Sequence, residues 1–175
     1  MLRKYSVLKL EILNSFFILV LGTLLHFTFE WSNNNLLVGT FSSVNESTWE
    51  HLKLLFFPML ITALVGQFYF KISPNYLCIK TSAIIIALVF TIVFFYTYTG
   101  VLGSNLKFLD IGSFFAAVLL GQFYTYKKVQ ISATCNNFNA SIILFILFLC
   151  FIIFTFVPPQ IGLFQDPLTC MFGLN

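Results

Sequence analysis

The chain has 175 residues, of which 59% are hydrophobic and 9% charged, with a formal net charge of +3. A soluble domain carries roughly a quarter charged residues, so this composition excludes a water-solvated globule and makes lipid the solvent for most of the surface. The basic residues are scattered at segment ends rather than gathered in a patch, which excludes a nucleic-acid binder.

Mean hydropathy is +0.94 and the apolar runs are long and continuous. In a bilayer only helices or a closed barrel satisfy the backbone, and runs of this kind are helical. The reading is an all-α, polytopic membrane helix bundle with five transmembrane helices, one integral-membrane domain over residues 1–175. A basic start (Arg3, Lys4, Lys9) leads into an apolar run from Ile12 to Phe29. The run is too long for a signal peptide and lacks a small-residue cleavage site, so helix one is placed at about 10–30. A polar loop, 31–43, follows. Helix two is placed at about 47–70, with a kink expected at Pro58. A short Ser-Pro-Asn turn leads to helix three at about 77–99, ending in Tyr96, Tyr98 and Gly100. Helix four is placed at about 107–126 and helix five at about 138–157, stopped by Pro158 and Pro159. The tail, 158–175, is too broken by Gly and Pro to span.

Arg3, Lys4, Lys9, Lys71, Lys80, Lys127 and Lys128 fall on one side of this layout, and Lys53 and Lys107 on the other. The positive-inside rule then puts the N-terminus in the cytoplasm and the C-terminus outside. Leu64-Val65-Gly66-Gln67-Phe68-Tyr69 is echoed by Leu119-Leu120-Gly121-Gln122-Phe123-Tyr124, which fits a hairpin repeat of helices one-two and three-four. The glycines would allow close approach and the glutamines would hydrogen-bond between helices. The four cysteines (Cys78, Cys135, Cys150, Cys170) show no metal-ligand spacing. With Cys78 and Cys135 on one side and Cys170 on the other, free and mostly buried thiols are expected rather than a disulfide framework.

Polarity concentrates in one stretch, Asn45-Glu46-Ser47-Thr48-Trp49-Glu50-His51. This orientation puts five carboxylates (Glu30, Glu46, Glu50, Asp110, Asp166) and both histidines at or near the outer face. His26 and Glu30 share a face of helix one, as Glu46 and Glu50 do at the start of helix two. Capping boxes, Ser43-x-x-Glu46 and Ser47-x-x-Glu50, would account for one glutamate but not for both together with His51 and Trp49. The candidate ligand- or ion-binding residues are therefore His26, Glu30, Asn45, Glu46, Trp49, Glu50, His51, Asp110 and Asp166. A zinc-like divalent metal would take His26, His51 and a carboxylate, with Glu50 first and Glu30 or Asp110 as substitutes. In a catalytic version Glu46, Glu50 and His51 would supply the base and ligands. The other chemistries are proton relay or cation transport, and a purely structural tie between helices one, two and the tail. The partners expected are the lipid bilayer and either a second copy of the chain or a larger membrane protein.

LHFTFEWSNNNLLVG, VNESTWEHLKLLFFPML, FYTYTGVLG and PPQIGLFQDPLT resemble an uncharacterised family of small bacterial multi-pass membrane proteins, grouped under a domain of unknown function. The resemblance implies a bacterial cytoplasmic membrane and no assigned activity. Ser47-x-x-x-His51 is also similar to the zinc-site helix of membrane hydrolases of the alkaline ceramidase and adiponectin-receptor type. That likeness implies, as an alternative, a metal-dependent hydrolase acting on a lipid-like substrate at the outer face. Those enzymes have seven spans and a late His-x-x-x-His pair, and this chain has no histidine after His51.

Overall fold

Three asparagines explain how the first helix ends and the chain turns back. Asn33 and Asn34 both adopt positive φ, 56° and 58°, a conformation asparagine tolerates better than most residues. Their N–H groups close the last turn on Glu30 O and Phe29 O. Asn35 then caps a short helix by accepting from Leu37 N at 2.9 Å. The computed structural model describes residues 2–70, 73–131 and 135–174, and the side chains from residue 6 onward except those of Tyr69 and Phe70. Lys71 and Ile72, and the side chains of Arg3 and Lys4, thus lie outside the described residues.

The helices are α1 (Leu2–Trp31), α2 (Leu36–Gly39), α3 (Thr48–Val65), α4 (Tyr76–Leu102), α5 (Lys107–Gln130) and α6 (Asn137–Phe156). All but α2 are long and apolar enough to cross a membrane, which makes five candidate spans. A π-helical turn, Gly66–Phe70, extends α3, and a 3-10 turn, Gly162–Phe164, lies in the tail. The described residues contain no strand, only an isolated antiparallel bridge between Gln165 and Phe172.

Several elements differ from expectation: α1 begins at Leu2 rather than near residue 10, and α5 runs on to Gln130. The short α2 lies inside the expected loop, because Asn35 supplies a cap. The α4 helix runs past Gly100 to Leu102 and stops at Gly103, whose φ of 68° and N–H to Thr99 O make it the C-cap. Helix α3 continues through Pro58.

The central helix is α3. Buried residues make up 61% of its apolar window, against 17% for α1 and 22% for α6. Leu52, Leu55, Phe56 and Met59 of α3 pack with Ile18 of α1, Ile84 and Ala87 of α4, Ala117 and Val118 of α5, and Phe151 of α6. The outer faces of α1 and α6 carry exposed Phe16, Phe17, Phe145 and Ile146, which suits contact with lipid. Gly66 and Gly121 allow close approach, as the echo motif suggests. A Cβ at Gly66 would fall 2.1 Å from the Tyr76 ring, and one at Gly121 would fall 3.3 Å from Ala83 O. Gln67 Oε1 accepts from Leu77 N at 3.0 Å, and Gln122 Oε1 accepts from Lys80 Nζ.

The expectation of free thiols needs correction. Cys78 and Cys135 are disulfide-bonded, with Cα atoms 6.1 Å apart, while Cys150 and Cys170 are free. Spacing along the chain could not reveal this, because the two cysteines are 57 residues apart and meet only when the α5–α6 connection packs on the start of α4. Asn137 reinforces the junction by accepting from Cys78 N and donating to Pro74 O.

Candidate metal centre

One end of the bundle gathers the last turns of α1, the loop after it, the first turns of α3 and the last turn of α6. The loop is stitched to α1 by two buried serines. Ser42 Oγ donates to Leu25 O and accepts from Phe29 N at 3.1 Å. Ser43 Oγ lies 3.2 Å from His26 Nδ1 and 3.4 Å from His26 O. Ser47 then caps α3, accepting from Glu50 N at 3.3 Å.

His26, Glu46 and His51 converge at this end, with one ligand atom from each lying within 4.8 Å of the others. Glu46 Oε1 is 4.0 Å from His26 Nε2, and Glu46 Oε2 is 3.5 Å from His51 Nε2. The two imidazole rings lie 5.2 Å apart. The other nitrogens decide what this arrangement can do. His51 Nδ1 is 3.0 Å from Ser47 O, and a carbonyl only accepts, so Nδ1 carries the proton. Ser43 Oγ can give its own proton to His26 O, which lets it accept from His26 Nδ1. With the proton on Nδ1 of both neutral rings, both Nε2 lone pairs are turned toward a carboxylate. Three acceptors facing one another repel unless a cation or proton sits among them. A histidine whose Nδ1–H is held by an oxygen while Nε2 points into a shared space is a typical metal-ligand arrangement. Two histidines and one carboxylate make a zinc-type donor set with an open position.

Glu50, expected as the third ligand, is turned away. It is buried and pairs with Lys53 Nζ at 2.5 Å. It also accepts from Val44 N at 3.1 Å and lies 3.1 Å from Thr155 Oγ1. Lys53 Nζ donates to Gly39 O at 2.8 Å and to Thr155 Oγ1 at 2.9 Å. Of the two capping boxes, only the Ser47 half of the second forms. Glu50 spends its carboxylate on Lys53 and Val44, and no helix begins at Ser43.

The other candidates are not among the three residues whose ligand atoms converge. Glu30 is exposed, and among the described residues it makes no ion pair. Asn45 accepts from Ser47 N and donates to Gly173 O, both at 2.9 Å. Trp49 packs on Phe151 and Phe164, with ring centroids 4.5 Å and 4.8 Å away. Asp110 accepts from Tyr98 Oη, tying the start of α5 to the end of α4. Asp166 is buried and holds its own turn, accepting from Leu168 N at 2.7 Å.

Two buried lysines escaped the sequence reading, which treated both as charges at the membrane surface. Lys53 and Lys80 are each 0% exposed. At the opposite end of the bundle, Lys80 Nζ lies 2.6 Å from Glu11 Oε2, and Tyr76 Oη donates to Glu11 Oε1 at 3.0 Å. Gln122 accepts from Lys80, and its Nε2 has no partner among the described residues. The available signal was a lysine set within an apolar helical run, which lipid does not tolerate unpaired.

The family of unknown function DUF6512 matches residues 2–174, and the chain belongs to it. No curated protein and no solved structure matches the chain.

Proposed function

We propose that this chain is a five-span protein of the bacterial cytoplasmic membrane, with its N-terminus inside, that binds a divalent transition-metal ion at its outer face through His26, Glu46 and His51. The observation that carries this reading is the convergence of His26 Nε2 and His51 Nε2 on the Glu46 carboxylate. Lysines at the opposite end support the orientation, with Lys9 and Lys127 exposed there. Lys53 and Lys80 drop out of the charge count because each is buried against a glutamate.

Binding is favoured over hydrolysis because Glu50, the carboxylate a hydrolytic site would use as its base, is occupied by Lys53. It is favoured over transport through a single chain because packed Ile18, Leu55, Phe56, Met59 and Ile84 separate the two polar ends. The test is zinc uptake by the detergent-purified protein after chelator treatment. About one equivalent is expected for the native chain and under about a tenth for His51→Ala and Glu46→Gln. Asp110→Asn should bind as the native chain does. Full occupancy in His51→Ala would sink the assignment.

A further inference from the structure

The segment that bears Glu46 is held both by its own helix and by groups distant in sequence. On one side, Lys53 holds Gly39 O and Glu50 holds Val44 N, and Thr155 of α6 lies against both side chains. On the other side, Asn45 Nδ2 donates to Gly173 O of the tail, across a sequence separation of 128. Asn45 immediately precedes Glu46, and its Oδ1 holds Ser47 N, the residue immediately after Glu46.

The tail that supplies this bond is an ordered element. Phe164 is buried against Trp49 and Phe154. The chain then turns around Asp166, which accepts from Leu168 N, and returns through the Gln165–Phe172 bridge to Gly173. Gly173 has a φ of 72°, and a Cβ there would lie 3.1 Å from the Pro158 ring and 3.3 Å from Thr155 O. Only glycine seats the carbonyl of this residue against Asn45 without strain.

We infer that the tail is a strap that positions Glu46, so that tail docking and metal binding at His26, Glu46 and His51 are coupled through the Asn45–Gly173 bond. This rests on the metal-site reading above and adds its regulation. None of the strap residues touches the ion. They act by fixing where the Glu46 carboxylate stands relative to the two Nε2 atoms. Coupling is reciprocal, so an ion at the site also holds the tail down.

The experiment measures zinc affinity by chelator competition in the detergent-purified full chain. Gly173→Ala and Asn45→Ala, with all three ligands intact, should each bind about tenfold more weakly, the loss typical of removing a group that orients a ligand. Because both substitutions break the same bond, the double variant should bind no more weakly than the weaker single one. Gly162→Ala, whose Cβ would meet only Tyr96 Oη at 4.0 Å, controls for a general disturbance of the tail and should match the native chain. Zinc should in turn slow chymotryptic cleavage after the buried Phe164 by about tenfold in the native chain, an effect largely lost in Gly173→Ala. Native-like affinity in Gly173→Ala, or losses that add in the double variant, would overturn the strap. A native chain that takes up no zinc would overturn the metal site itself, and the strap with it.

Discussion

At the residue scale, His51 and Glu50 show how adjacent positions in one helical turn divide between two tasks. His51 sends its Nε2 toward Glu46, while Glu50 points into the bundle against Lys53. A buried pair of this kind gains little over apolar residues of the same shape, yet leaving one member uncompensated is costly. Lys53→Met should therefore lower stability by about 3–5 kcal/mol, and pairing it with Glu50→Leu should recover much of that loss. Thermal unfolding in detergent reads both, and a single variant as stable as the native chain would contradict the account. The partner of His26 gives a second prediction at this scale. Ser43→Ala removes the oxygen that faces Nδ1 and should weaken zinc binding by about tenfold through loss of ring orientation. Unchanged affinity would mean that the hydroxyl does not set the ring.

At the element scale, the bundle depends on α4, which receives the ends of both α3 and α5. Gly66 sits on Tyr76, Gly121 sits over Ala83, and both glutamines that follow them hydrogen-bond to the first turns of α4. The repeated Leu-x-Gly-Gln segments thus meet one packing demand twice: a glycine for close approach and a glutamine for a buried partner. Gly121→Val should cost about 1–3 kcal/mol, because its branches must displace the Met59 methyl and press on a backbone carbonyl that cannot give. A chemical-denaturation midpoint equal to the native one would show that the contact is loose. Helix α6 is joined to the bundle differently. Asn137 and the Cys78–Cys135 bond hold its start, and Thr155 and Phe151 hold its end.

At the scale of the whole molecule, the proposed orientation puts the Cys78–Cys135 bond on the cytoplasmic side, where the reducing thiol pool would open it in growing cells. Cys170 is exposed at the other end. A membrane-impermeant maleimide applied to intact cells should label Cys170 and leave Cys135 untouched until the cells are opened. The reverse pattern would invert the protein and move the histidine cluster to the cytoplasm.

Composition and run length were enough to read out an all-α chain with five helices long enough to span a membrane, because lipid demands continuous apolar helices whatever their packing. The concentration of Asn45, Glu46, Glu50 and His51 likewise marked the neighbourhood of the candidate site. Which carboxylate joins the histidines was not legible. Glu46 and Glu50 look equivalent by spacing, and only the burial of Lys53 beside Thr155, a residue of α6, turns Glu50 inward. The same holds for Cys78 with Cys135, Glu11 with Lys80, and Asn45 with Gly173. Each partner comes from a different helix or from the tail, so its identity rests on how the helices pack. Local periodicity determines that a helix forms and which residues share its face. The neighbour that face meets is decided by the tertiary structure, and for buried charges that neighbour sets the chemistry.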